Sequence, residues 1–542
     1  MKTLLTDTFA VRRPPADDGL FVPVSSGREP LARPGLRVLQ VAVVALVAVA
    51  LRLFMLGNQS LWTDEIVTFR SSDGPLWWVI SQTEYNSNIP PLYYVLTSWF
   101  LNFGNSEVVL RLPSVICGAL SIPLLYLIAF EWFGSSVALL SIILFAVSPF
   151  EVWYSQEARP YALLLFLGLL AMWSMLRVIR RPGDIRMAVV FVLSAAATVY
   201  CHTVGVAFIA FLAAYMALAA PRRLWRRWLA YFACIVVLLI PAAVRLLSLP
   251  PAAAADSERQ FSLLFVPYAG WAFAAGYSLG PTLTQLHMPD RVSTVVHSLP
   301  VLLPCLALVG TLAALGLVEL WRHRSIVRWG VVLLFAIPTG FVIGGTLVTV
   351  HPFNVRYMIL AFPAFVFVMA LGVLRLKRHP WLVVGACGGL MLMSLASLGN
   401  YYFDPRYYRE DNRAAGQVIH DQAQPGDLVL ANAAYTADNI RFYAARDDIQ
   451  VLGFPVPDSE AQASPSTSSP LRTGGVPTPV VAPSAELPQI LAGRDRFWLF
   501  LSRTYQGGGV EGSLLQACEQ DFEGTTLLTT PNDVRVLLCE KR

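Results

Sequence analysis

The sequence predicts an α-helical polytopic membrane protein of about eleven transmembrane helices, with a small extracytoplasmic α/β domain at its C-terminal end. Three observations carry that reading. Apolar runs of roughly 18–22 residues recur through the first three quarters of the chain, and such a run is long enough to cross the hydrocarbon core of a bilayer. Of 542 residues, 56% are hydrophobic and only 14% charged, whereas a soluble domain carries about 25% charged residues; mean hydropathy is +0.56. After Asp404 the runs shorten, and short helix and strand patterns alternate.

Residues 1–36 are polar, with Arg12, Arg13, Arg28 and Arg33 offset by Asp17 and Asp18. They are too long and too mixed for the n-region of a cleaved signal peptide and are expected to form a cytoplasmic, disordered tail. Apolar runs follow at 38–56, 112–130, 136–153, 161–178, 187–205, 206–220, 228–248, 298–320, 330–350, 357–374 and 381–400. Every second loop is basic: Arg180, Arg181 and Arg186; Arg222, Arg223, Arg226 and Arg227; Arg322, Arg324 and Arg328; Arg375, Lys377 and Arg378. The positive-inside rule therefore places the N-terminus in the cytoplasm and the C-terminus outside, and the composition suits a bacterial inner membrane. Residues 90–103 are apolar but too short to cross, and counting them would invert every later basic loop. They are expected to form a helix along the outer interface, opened by Pro90 and Pro91. With this topology five segments face outward: 57–111, 154–160, the turn at His202, 249–297 and 351–356.

In the tail domain, helices are expected at Asn412–Gln422, Ala437–Ala445 and Gly512–Gln520, and strands at Leu428–Ala431, Ile449–Leu452, Arg496–Leu501 and Val534–Cys539, an alternation that suggests an α/β unit. The insert 455–488 is rich in Pro, Ser, Thr and Ala and is expected to be disordered. The run Gly507-Gly508-Gly509 lacks nucleotide-binding spacing. Among seven cysteines none has metal-ligand spacing; an extracytoplasmic location would let Cys518 and Cys539 pair. The net charge of +5 is gathered in short loops and implies orientation in a lipid bilayer; it implies no nucleic-acid partner.

The polar motifs collect in the outward segments. Asp64 and Glu65 stand just after the first run, where a desolvated carboxylate is costly and usually has a task. A carboxylate there can draw a proton from an attacking hydroxyl; equally, Asp64 before an apolar run fits a helix N-cap. Tyr154, Gln156, Glu157, Arg159 and Tyr161 crowd the short loop between two runs. They read as a local Glu157–Arg159 ion pair, or as a substrate site whose guanidinium binds phosphate through its fork of donors. Arg356 and Tyr357 open the tenth run, either snorkelling to headgroups or clamping a lipid phosphate. His202, at the end of the fifth run, is a hydrogen-bonded core residue or, with Asp64 and Glu157, a ligand of a divalent metal. Arg111 is read as structural.

These residues carry a resemblance. Leu61-Trp62-Thr63-Asp64-Glu65 resembles the acidic first-loop motif of the GT-C integral-membrane glycosyltransferases. Pro90-Pro91-Leu92-Tyr93-Tyr94, Leu110-Arg111-Leu112-Pro113-Ser114, Trp153–Arg159 and Arg356-Tyr357 follow in the order of the bacterial branch similar to protein mannosyltransferases and aminoarabinose transferases. The resemblance covers roughly residues 38–375. It implies a sugar donor carried on a polyprenyl phosphate and a hydroxyl-bearing acceptor (protein, lipid or cell-wall glycan). It further implies Asp64 as the base, Glu65 assisting it, Glu157 near the reacting centre, and Arg159 and Arg356 on phosphate, with Tyr93, Tyr154, Gln156, Tyr161, His202 and Tyr357 around the substrates. One departure stands out: relatives place a charged residue before the Pro pair, where this chain has Ile89 after Asn88. Two other readings remain, a transporter or flippase for lipid-linked sugars and a non-catalytic relative acting through the tail domain. Transporters show internal repeats and charge near the midplane, and neither is visible here.

Overall fold

The computed structural model describes residues 34–81, 90–248, 265–287, 290–322, 326–348, 353–454, 487–504 and 510–542. Most of the expected disordered tail and insert, and Gly507–Gly509, lie outside the described residues. Each of the eleven apolar runs is helical over most of its described residues, but not all are alike. Among the described residues, eight helices are long and apolar enough to cross a membrane: Gly35–Leu53, Glu107–Phe133, Tyr161–Arg180, Arg222–Arg245, Arg291–Arg322, Ile326–Val348, Val355–Arg375 and Pro380–Phe403. A bent pair, Ser135–Ala146 and Pro149–Ser155, makes a ninth if it is one span, and Ile185–Cys201 and Gly205–Ala219 are shorter. The first helix begins at Pro34, inside the segment expected to be tail.

Burial sorts these helices into layers. Glu107–Phe133, Tyr161–Arg180 and Val355–Arg375 are mostly enclosed, whereas Gly35–Leu53 and Arg222–Arg245 turn almost all of their surface outward. Leu46, Leu247, Val348 and Trp381 are among the exposed apolar side chains, as a lipid-facing surface requires. Where two helices cross without a hydrophobic drive between them, small residues allow close approach. Gly316 and Gly372 do this reciprocally: a Cβ on Gly316 would collide with the Val368 carbonyl oxygen, and one on Gly372 with the Leu312 carbonyl oxygen.

The bend of 59° in the third run has a local cause. Pro149 opens the second piece and has no N–H to continue the helical ladder, and the Ser148 side chain accepts the Glu151 N–H instead. The carbonyl of Ala146 takes a hydrogen bond from Arg52 Nη1 at 3.2 Å. Arg52, fully buried, also pairs with Glu151 and donates to Ser155 Oγ at 3.2 Å. Buried charges in a membrane bundle need such partners, and this set joins the first helix to the broken one.

After Phe403 the chain builds a five-stranded sheet of order β2-β1-β3-β5-β4, from β1 (Leu428–Ala431), β2 (Gln450–Gly453), β3 (Arg496–Ser502), β4 (Phe522–Thr529) and β5 (Val534–Lys541). β1 pairs in parallel with β2 and β3, and β5 runs antiparallel between β3 and β4. Leu428, Leu430, Phe497, Leu499 and Leu501 pack on one face with Leu514 and Cys518 of the helix Val510–Asp521. Val429, Ala431, Trp498 and Phe500 pack on the other with Ala415 and Ile419 of Asn412–Gln422 and Ala437 and Ile440 of Ala434–Ala444. Helices on both faces explain why the inner strands read as continuous apolar runs. Cys518 and Cys539 form a disulfide. β4 was not expected: it is an edge strand, exposed over Glu523–Thr526, so it lacks the apolar alternation that marks a strand.

Gly372→Ala should force the two helix backbones apart and lower stability by about 1–3 kcal/mol. A thermal midpoint in detergent equal to that of the unsubstituted protein would show that the helices do not meet at this glycine.

Candidate active site

Described residues of the segments predicted to face one way converge at one end of the helical bundle. The helix Thr63–Ser72 carries Asp64 and Glu65 in its first turn. Its N-cap is Trp62, not Asp64, and the Glu65 carboxylate reaches back to the Trp62 N–H at 3.3 Å; the expectation of an Asp64 cap is corrected accordingly. Glu65 is fully buried and takes Arg111 Nε at 2.9 Å, Arg111 Nη2 at 2.7 Å and the Ala158 N–H at 2.8 Å. Arg111 gives its remaining donors to the carbonyls of Leu56, Gln59 and Ser60 at 2.8–3.0 Å. Burial raises the Glu65 carboxyl, but the Arg111 charge and hydrogen bonds, with Arg409 behind them, hold it below the usual range. Every contact of Glu65 is thus to the protein frame.

Asp64, on the adjoining position, is different. Its side chain is 24% exposed and lies 2.9 Å from Arg356 Nη1 and 3.7 Å from Arg159 Nη2. Arg159 also donates to the Asp64 carbonyl at 3.2 Å and to Thr68 Oγ1 at 3.4 Å. Burial raises the Asp64 carboxyl, yet Arg159, Arg356 and Arg503 outweigh it and keep the group ionised far below its ordinary value. A carboxylate so placed between guanidiniums is a weak base until a competing anion draws those charges away.

Around Arg356 stands an aromatic wall. Its guanidinium lies 5.7 Å from the Tyr161 ring and 5.4 Å from the Tyr357 ring, a cation–π distance. The His202 ring is 5.8 Å from Tyr161 and 5.3 Å from Tyr357. His202 Nδ1 accepts the Val204 N–H at 3.2 Å, so the neutral ring carries its proton on Nε2. Burial, with the Arg159 and Arg356 charges, pushes the imidazole down to about 3. Four buried atoms here have no hydrogen-bond partner: Tyr161 Oη, His202 Nε2, Arg159 Nε and Arg356 Nε. Each can donate, and a set of unmatched donors suits an anion.

Glu157 does not pair with Arg159, contrary to the local ion pair expected. The loop 156–160 turns so that Arg159 points to Asp64 while Glu157 meets Arg409, from beyond the last span, at 3.2 Å. Gln156 and Tyr93 are occupied elsewhere. Gln156 Nε2 donates to the carbonyls of Arg52 and Phe54 at 2.9 and 2.8 Å, and the Tyr93 hydroxyl is buried on Ser114 Oγ at 2.8 Å. Tyr154 shares a 2.8 Å hydrogen bond with Tyr277. Asp64, Glu157 and His202 are not gathered as ligands: among the described residues no three His, Cys, Asp or Glu side chains come together in a way that could hold a metal ion.

Sequence reasoning missed the contribution of the tail domain. Arg409 stacks on Trp62 and Trp153, at 4.9 and 4.6 Å from the ring centres. Arg503, with φ of 54° in the left-handed region, follows the carboxyl end of β3 and lies 5.5 Å from the Trp62 ring and 3.2 Å from Glu410. Arg413 pairs with Glu107 at 2.7 Å, and Tyr443 Oη accepts the Leu61 N–H at 2.6 Å. The only hint in the sequence is the charged run Arg409–Arg413 just after the last span.

Comparison with known proteins supplies an independent view. Residues 88–247 match the family of dolichyl-phosphate-mannose-protein mannosyltransferases. A search of curated proteins finds no match. The fold is similar to that of ArnT from Cupriavidus metallidurans in the apo state, with TM-score 0.57, 14% identity, and coverage of 93% of this chain and 98% of ArnT. For ArnT bound to undecaprenyl phosphate the values are 0.55, 15%, 94% and 98%. The archaeal oligosaccharyltransferase AglB from Archaeoglobus fulgidus, in complex with an inhibitory peptide and a dolichol-phosphate, aligns with TM-score 0.51 at 13% identity over 92% of this chain and 74% of AglB.

The His202 site predicts a pH dependence of stability. The folded state holds the ring neutral down to about pH 3 while the unfolded ring takes a proton near 6.5. The unfolded chain therefore binds more protons between those values, and stability falls as pH drops through that window by up to about 1.4 kcal/mol per pH unit. His202→Asn, which keeps an acceptor for the Val204 N–H, should flatten that part of a melting-temperature profile. An identical slope in the variant would remove His202 as its source.

Proposed function

On a chain that has the GT-C fold of integral-membrane glycosyltransferases, we propose an enzyme that moves a sugar from a polyprenyl-phosphate donor to a hydroxyl-bearing acceptor. The reaction takes place at the extracytoplasmic face of a cell membrane, with the N-terminus inside and the C-terminus outside, as the basic loops require. The observation that carries this reading is Asp64, partly exposed and held between Arg356 and Arg159 at 2.9 and 3.7 Å.

The same arrangement supports a mechanism. Arrival of a lipid phosphate gives Arg159 and Arg356 a second anion to bind, and guanidinium forks match phosphate oxygens. As their charge is shared, Asp64 regains basicity. Its carboxylate then takes the proton of the acceptor hydroxyl while that oxygen attacks the anomeric carbon. The bond from that carbon to the phosphate oxygen breaks, and the electron pair leaves on the phosphate, where the two guanidiniums stabilise the developing charge. Attack opposite the leaving group inverts the anomeric centre. Tyr161, Tyr357 and the Nε2–H of His202 line the same space as neutral donors and apolar walls, and Glu65 serves indirectly by fixing the first loop. A transporter would need its polar groups near the midplane, whereas these sit at helix ends and in loops.

Asp64→Asn should reduce transfer by about 10²–10⁴-fold, the usual contribution of a general base, with expression and melting temperature retained. Movement of label from radiolabelled polyprenyl-phosphate sugars to acceptor, in detergent-solubilised protein, measures this. Wild-type-like transfer by the variant would dismiss Asp64 as the base.

A further inference from the structure

Among the described residues, Arg409 is the one cation ion-paired to Glu157, and it comes from beyond the last span. Its side chain is 8% exposed, that of Glu157 2%, and Nη1 lies 3.2 Å from Oε1. The guanidinium is fixed against two indoles, Trp62 at 4.9 Å and Trp153 at 4.6 Å. Its backbone is held from both sides: the N–H donates to Gln59 Oε1 at 3.2 Å, and the carbonyl accepts from Asn532 Nδ2, in the tail domain, at 3.4 Å. Yet Glu157 Oε2 and both Nη atoms of Arg409 have no hydrogen-bond partner. The pair is held by charge and stacking rather than by directed bonds.

We infer that Arg409 is the positioning residue through which the tail domain controls the site: it keeps Glu157 in place as an anion and fixes the Trp62 wall two residues from Asp64. The alternative, a mere surface tether, does not require a buried guanidinium between two tryptophans. A buried carboxylate stays charged only when a cation stands by it. Burial leaves the Glu157 carboxyl above its ordinary value; Arg409 is the strongest opposing charge, Glu65 adds to the rise, and Arg356 and Arg159 oppose it more weakly. The phenols of Tyr154, Tyr161, Tyr277 and Tyr401 complete its polar surroundings. Loss of Arg409 removes the largest of these opposing charges and moves the Glu157 carboxyl further up. The link runs outward as well: any shift of the tail domain acts on Arg409 through Asn532. This inference builds on the proposed site but is read without an activity assay.

Infrared spectra of full-length R409M, R409K, wild type and the double variant R409M/E157Q, all at pH 7, test it. R409M should show the carbonyl band of a protonated carboxyl that wild type, R409K and the double variant lack. No such band in R409M, or a band that persists when Glu157 is also replaced, would overturn the inference. Should R409M fail to fold, the double variant, which leaves no unpaired buried charge, should restore expression; failure of that rescue would overturn it equally. Absence of sugar transfer by wild type would bear on the proposed function and leave these spectra unaffected.

Discussion

The buried pair of Glu65 and Arg111 is the constraint on which the rest of the site depends. Two side chains gather four separate pieces of chain. Glu65 brings the first-loop helix, Arg111 the second long helix, the Ala158 N–H the loop after the broken span, and the carbonyls of Leu56, Gln59 and Ser60 the exit from the first helix. An isolated carboxylate or guanidinium at that depth would be costly, and a pair is tolerated only when its remaining hydrogen-bonding capacity is also met. Here it is met almost entirely by backbone, so the pair fixes the chain path rather than side-chain conformers. Asp64, one residue from Glu65, and Arg159, one residue from Ala158, are held in register by it. Asp64 can therefore be left partly exposed and matched only to the guanidiniums of Arg356 and Arg159.

Much of this was legible in the sequence, for identifiable reasons. Apolar length and loop charge are local signals, so the helical segments and the loops that share one end of the bundle could be read directly. The inner strands β1 and β3, covered on both faces, read as apolar runs; β4, an edge strand exposed over Glu523–Thr526, did not. Pairings between distant segments left no such mark. Glu157 and Arg159 stand two residues apart and invite a local ion pair, but the turn carries them to different partners, Arg409 and Asp64. Asp64 looks like a helix cap from its neighbours alone, and only the position of Trp62 at the helix start shows otherwise. Gln156 and Tyr93, plausible by type and place, are satisfied by backbone and Ser114. Arg409 and Arg503 were invisible as site residues because nothing in the order of residues says that the tail domain folds back onto the first loop.

That fold-back alters the charge balance at the end of the bundle. Among the described residues, the linked cluster holds the carboxylates of Asp64, Glu65, Glu157 and Glu410 and the guanidiniums of Arg111, Arg159, Arg356, Arg409 and Arg503. Four negative groups face five positive ones, and the surplus lies where unmatched donors on Arg159, Arg356, His202 and Tyr161 also collect. Low-dielectric surroundings amplify such an imbalance and make the site favour an anion over a neutral molecule. On the proposed reading that anion is the donor phosphate, and its arrival does two things at once. It neutralises the surplus, and it takes from Asp64 the two cations that suppress its basicity. Binding and activation of the base then become one electrostatic event, which ties proton removal to the presence of a leaving group.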